Sequence, residues 1–204
     1  MANIQLDSLD DTQYDVLKEL GNIGAGNATT ALATMINAKI DMGVPKVSLV
    51  PFKEMSNVVG SEETILAGIL LGLEGDVSGM MMFLMDTRSA HFMVNALMGN
   101  PGYSEGDFTE IELSALNEIG NIIAGSYLSA LSNLTNLVIS PSVPSLAIDM
   151  AGALLSVPAI EYGKIGDKVL LIDTKFGEKD VVNGYFVMVP DLESYNKILS
   201  SLGL

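Results

Sequence analysis

Apolar residues return every three or four positions from Thr12 to about Ala38, with Leu17, Leu20, Ile23, Gly24, Ala28, Ala31 and Met35 on one stripe. That period predicts a long amphipathic helix. A second long helix is predicted from Thr109 to about Leu137. Asp10 and Asp11 precede the first helix, and Asp107 and Thr109 the second, so both starts carry N-cap chemistry. Short apolar runs follow each helix and read as strands. In the first half these are Val47–Phe52, Thr64–Leu73 and Val77–Met85. In the second half they are Ser145–Ile148, Lys168–Lys175 and Val181–Val189. Glu74-Gly75-Asp76 splits the most apolar stretch into two pieces, each too short to span a bilayer as a helix. A buried β-hairpin is the better reading. Helices Thr87–Met98 and Leu192–Leu202 close the halves, Asn100-Pro101-Gly102 joins them, and an added piece at Met150–Tyr162 is predicted as a short helix.

The halves are copies. Leu17-Lys18-Glu19-Leu20-Gly21-Asn22-Ile23-Gly24-Ala25-Gly26 aligns with Leu116-Asn117-Glu118-Ile119-Gly120-Asn121-Ile122-Ile123-Ala124-Gly125 at an offset of 99, which also relates Asp15 to Ser114 and Pro45 to Pro144. One unit alone would leave a sheet face bare, so the two must share a core. The expectation is a single α/β (α+β) domain over 1–204, built of repeats at about 10–99 and 108–204. Pseudo-two-fold symmetry should set two long helices beside a mostly antiparallel sheet of about six strands. Gly21, Gly24, Gly26 and Gly120 each cost about 1 kcal/mol inside a helix, and close helix packing is a reason to keep them.

Composition narrows the chemistry. The 204 residues include no cysteine, which excludes disulfides, thiolate metal sites and a cysteine nucleophile. A single histidine, His91, excludes a multi-histidine metal centre. The formal charge is −15, spread evenly, with 12 acids and 5 bases in residues 1–99 and 13 and 5 in the remainder. Such a chain lacks a basic patch for nucleic acid and is repelled by anionic membranes. No basic, apolar leader opens the chain, so the cytoplasm is expected by default.

Asp15, Glu19 and Asn22 lie at i, i+4 and i+7, on one face of the first helix, and Ser114, Glu118 and Asn121 repeat the arrangement. A solvated face, or asparagines packed in the helix interface, would account for one copy. Two copies in register favour chemistry. An asparagine amide near neutral pH is neither base nor nucleophile, but it can donate to and accept from a water and hold it in line for attack. Phosphoryl transfer suits such a group, since its catalysis is largely positioning and electrostatics. A glutamate one turn away can pair with a partner's lysine.

Asp/Ser, three residues, Glu, two residues, Asn, then 22 residues and Pro resembles the signature of the CheC family of chemotaxis phosphatases. The copies are Asp15, Glu19, Asn22, Pro45 and Ser114, Glu118, Asn121, Pro144, with Gly21–Asn27 (GNIGAGN) also family-like. The resemblance spans essentially the whole chain. It implies a substrate, phosphorylated CheY, whose aspartyl phosphate is hydrolysed. Glu19 and Glu118 would contact a CheY lysine, and Asn22 and Asn121 would orient the water. Mg²⁺ would come with CheY, with no cofactor or metal held by this chain. The receptor deamidase CheD is the second implied partner, docking near Ile148, Asp149, Met150 and Leu154. Among relatives, CheX carries one motif where this chain has two, and FliY adds a flagellar-switch domain for which no room is left after Leu204.

Other signals are set aside. Gly24-Ala25-Gly26 follows a helical pattern rather than a strand and lacks the third glycine of a dinucleotide loop. Met80-Met81-Met82 reads as core filling and His91 as a surface or packed residue. The rival readings are a non-catalytic regulator of CheD and a flagellar-switch adaptor.

Overall fold

The computed structural model describes residues 10–37, 46–99, 106–162, 168–176 and 182–204. Pro45 and the junction at Asn100-Pro101-Gly102 lie outside them. Helix α1 runs Asp11–Met35, strand β1 Lys46–Pro51, α2 Met55–Val59, β2 Ile65–Gly75, β3 Gly79–Asp86 and α3 Thr87–Leu97. The second copy supplies α4 Glu110–Thr135, β4 Ile139–Pro141, β5 Ser145–Met150, α5 Ala151–Tyr162, β6 Lys168–Phe176, β7 Val182–Pro190 and α6 Leu192–Ser201.

The long helices begin and end as copies. Asp10 caps α1 and Thr109 caps α4, each in a capping box closed by the residue three places on, Gln13 or Glu112. Each box satisfies backbone donors that a helix start leaves open. Past the other ends, Asn37 and Asn136 both adopt positive φ, 48° and 55°. Asparagine tolerates that left-handed conformation better than most residues, so it stops a helix. All four positions obey the offset of 99. The helices end three and two residues short of the sequence expectation.

The sheet has seven strands, one more than expected, in the order β1-β6-β7-β3-β2-β4, with β5 also pairing β2, and every pairing is antiparallel. The extra strand, β4, spans three residues against the end of β2 (Leu73↔Pro141). The repeats exchange strands: β1 of the first pairs with β6 of the second, and β5 of the second with β2 of the first. Neither repeat has a complete sheet without the other. The pseudo-two-fold passes through the pair Met82↔Val187 between β3 and β7. Those residues are 105 apart, as are the α3 and α6 N-caps, Asp86 and Asp191.

Strand β3 is apolar on both sides because both faces of the sheet are covered. Met81, Phe83 and Met85 point into the main core with α1, α3, α4 and α6, where the Phe83 and Phe186 rings lie 4.8 Å apart. Met80, Met82 and Leu84 point into a smaller core with α2 and α5. The methionine triplet is core filling, as its apolar context suggests. Each such side chain contributes about 1.5–3 kcal/mol by burial. The Met150–Tyr162 piece is not wholly an addition. The first repeat has a shorter counterpart in α2, and the two helices pack together.

Helix packing explains one of the repeat glycines. A Cβ on Gly24 would lie 2.5 Å from Tyr127 of α4, so α1 and α4 can meet here through glycine alone. Gly21 and Gly120 serve a different contact. They let their helices down onto the sheet, at Val47 and Ile172 and at Ile69. The expectation of helix–helix packing at those two is corrected to helix–sheet packing.

Candidate functional site

Two faces carry the repeated polar residues. On α1, Asp15 and Glu19 are exposed and Asn22 is half-buried. On α4, Ser114, Glu118 and Asn121 are all exposed. The buried stripes, Leu17–Leu20–Gly24 on α1 and Leu116–Ile119–Ile123 on α4, lie on the core side of each helix. Burying that stripe fixes the rotation of the helix, and the rotation sets the Glu–Asn row outward. Each row spans about 10 Å of helix.

Among the described residues Glu19 and Glu118 form no hydrogen bond or ion pair. A carboxylate in that position is free to accept from a partner's ammonium. The asparagines differ: the Asn22 Oδ1 is buried without a hydrogen-bond partner, whereas Asn121 is open to solvent. The Ser114 hydroxyl donates to the Glu110 carbonyl at 2.9 Å, one turn back on its own helix. Pro144 immediately precedes β5, where it ends the irregular stretch after β4. Pro45 lies outside the described residues.

One position escaped the sequence reading. Ile111 is 69 % exposed on α4, in line with Ser114, Glu118 and Asn121. Its counterpart on α1 is Thr12. The available signal was an apolar residue in the first turn of a helix, off the buried stripe.

The segment assigned to a second partner is partly presented. Ile148 is half-buried in β5, and Asp149 and Met150 are exposed. Leu154 is different. It is buried in the smaller core against Gly68, so it offers no surface to a partner. The exposed apolar side chains of that segment are Met150, Val157 and Ile160.

The duplicated helix faces define the class: an internally repeated α/β protein that presents one Glu–Asn row on each of its two long helices. Known proteins agree. The profile of the CheC-like family matches residues 13–49 and 111–148, one segment in each repeat. The CheY-P phosphatase CheC of Bacillus subtilis is 39% identical over 196 residues, covering 94% of each chain. The flagellar motor switch phosphatase FliY of the same organism is 27% identical across 97% of this chain, which spans 51% of that protein. The crystal structure of Thermotoga maritima FliY has the same fold, with a TM-score of 0.75 at 21% identity over 96% of this chain and 98% of that one. The chain belongs to the CheC-like family.

Proposed function

We propose that this protein is a phosphatase of phosphorylated CheY, hydrolysing the aspartyl phosphate by orienting the attacking water. The observation that carries the reading is the Glu–Asn row presented twice on outward helix faces, with neither carboxylate bonded among the described residues. Glu19 and Glu118 each pair with a lysine of the docked regulator and set its orientation. Asn22 and Asn121 each reach its phosphorylated aspartate, where the amide donates to or accepts from one water and aligns it on phosphorus. The P–O bond to the aspartyl carboxylate breaks, and inorganic phosphate leaves with the water oxygen. No covalent intermediate forms on this chain, and the Mg²⁺ that screens the phosphate travels with CheY. Holding the nucleophile in line is where a positioning catalyst gains its rate.

The exposed Met150, Val157 and Ile160 form an apolar strip suited to a protein partner, and we assign it to CheD. The protein works in the cytoplasm, where both partners would meet it.

The test is phosphate release from phosphorylated CheY of the same organism, with wild type, Asn22→Ala, Asn121→Ala and the double variant. Wild type should accelerate release, and the folded double variant should not. A double variant that still accelerates release would leave the CheD-regulating module as the surviving reading.

A further inference from the structure

A cleft of about 850 Å³ opens beside the second face, between α3, α4 and β5. That volume suits a small molecule. Its polar lining is unusual for this chain. Arg88 is the chain's one arginine and His91 its one histidine, and both line the cleft. A net charge of −15 makes this the place where a positive group is set apart.

The wall is built rather than incidental. His91 is 4% exposed, its Nε2 lies 3.1 Å from the Gly106 carbonyl, and its ring stacks on Phe108 with centroids 3.8 Å apart. It ties α3 to residues 106–108. Asn117 also lines the cleft, and its Oδ1 is buried with no hydrogen-bond partner, so no bond is lost when the side-chain amide turns that acceptor toward a ligand donor. Asp107 supplies a carboxylate, and Leu113, Leu146 and Ile148 an apolar side.

The first repeat differs here. Tyr14 stands where Leu113 stands, and its hydroxyl donates to the Val47 carbonyl at 3.1 Å. Val47 is the counterpart of Leu146, so in the first repeat helix and strand are stitched together at this point. Leu113 cannot make that bond. At this point the second repeat therefore lacks the helix–strand bond that the first repeat makes.

We propose that the cleft binds an α-amino acid with an apolar side chain. Its carboxylate meets the Arg88 guanidinium, which favours planar oxyanions. Its ammonium donates to Asp107 and to the Asn117 Oδ1, and its side chain lies on Leu113, Leu146 and Ile148. Asp107 opposes a dianion, and the Asp86 carboxylate already caps α3 by accepting from the Ser89 amide at 2.6 Å, so a phosphate is the poorer fit. Leu113 and Asn117 directly precede Ser114 and Glu118, which places the ligand next to the second face. The binding stands whether or not that face is a phosphatase.

Titration of the ¹⁵N-labelled full chain with L-leucine tests this, followed by NMR at the Asn117 side-chain amide and at the His91 and Gly106 backbone amides. Saturable shifts at those groups are expected. Isocaproate lacks the ammonium and isoamylamine lacks the carboxylate, and each should bind about tenfold more weakly or worse. Arg88→Gln and Asn117→Leu should weaken leucine to a similar degree in chains with folded spectra. No saturable shift with leucine in the wild type would overturn the proposal, and so would isocaproate binding as well as leucine. The analogue comparison needs no variant to fold.

Discussion

The two Glu–Asn faces share a backbone and differ in what they show to solvent. Asn121 stands free on α4, while Asn22 on α1 has its Oδ1 sealed inside without a partner. Whichever way the Asn22 amide is turned, one of its ends is withdrawn. Around them, Ile111 and Ser114 on one helix replace Thr12 and Asp15 on the other. Duplication has kept the spacing that places the Glu–Asn rows and released the surroundings that control their access. Spacing is set by helix geometry and survives sequence drift, whereas access depends on each neighbour. The faces are thus equal in pattern and unequal in exposure, and that inequality can be measured.

The largest expected effect is on hydrolysis. Asn121→Ala should lower the acceleration of CheY dephosphorylation by about a hundredfold, a reasonable value for a group that positions a nucleophile. Asn22→Ala should leave the rate almost unchanged, because the two faces act in parallel and a hundredfold loss at Asn121 leaves the first face only about a hundredth of the total. Equal losses would break the comparison and mean that Asn22 swings out when the partner docks.

Next comes the contact between the long helices, which is also unequal. Tyr127 of α4 occupies the position that Ala28 occupies on α1, and its ring fills the space left by Gly24. Gly24→Ala places a methyl 2.5 Å from a ring carbon inside a closed core. Overpacking of that kind costs about 3 kcal/mol, or roughly 10 °C in Tm for a chain of this size. Gly125→Ala is the control, since nothing lies within 4 Å of its added Cβ. It should raise stability by about 1 kcal/mol through helix propensity. Thermal unfolding of both variants decides whether the glycines of α1 and α4 serve different ends.

The same tyrosine carries a smaller liability. Its hydroxyl is buried with no hydrogen-bond partner, and burial pushes its pKa well above the usual phenol value. It therefore stays neutral at any working pH. Tyr127→Phe should keep the ring against Gly24 and Phe186 and gain about 1 kcal/mol by removing an unpaired polar group. A loss on denaturant unfolding would show that the hydroxyl has a partner that the folded chain alone does not reveal.

Much of this architecture was legible in the sequence. The register of the repeat located both long helices, the matching strand runs of each half and both faces, because a shared core must be written twice with the same periods. The apolar runs around Glu74-Gly75-Asp76 gave the β2–β3 pair. Strand β4 was missed because Ile139-Ser140-Pro141 is too short to show a period, and α2 because five residues hardly exceed one turn. The exchange of β1 and β5 between repeats was not legible. Pairing choice is a property of the assembled sheet, and each strand alone is compatible with either neighbour. The face residues were readable through their spacing together with the family signature. The burial of Asn22 and of Leu154 was not, because it depends on side chains distant in the chain.

The smallest expected effect separates the two helix starts. Glu112 and Gln13 hold the same place in the two capping boxes, 99 residues apart. The Glu112 carboxylate accepts from the Thr109 amide and from its hydroxyl, both at 2.8 Å, and these bonds hold its pKa below the usual carboxylate value. A carboxyl whose folded pKa is depressed contributes stability above its unfolded value, near pH 4–5, and loses it as the pH falls through the folded value. The α4 cap should therefore weaken in acid, while the α1 box closed by Gln13 has no such dependence at that position. Glu112→Gln makes the second box match the first. Wild type should exceed this variant by less than about 0.5 kcal/mol near neutral pH, since solvent screens so open a site. The difference should shrink toward zero below pH of about 4, where the wild-type carboxyl takes up its proton. Urea unfolding at both pH values measures it, and a gap that persists unchanged in acid would assign the advantage of glutamate to helix propensity rather than to its charge.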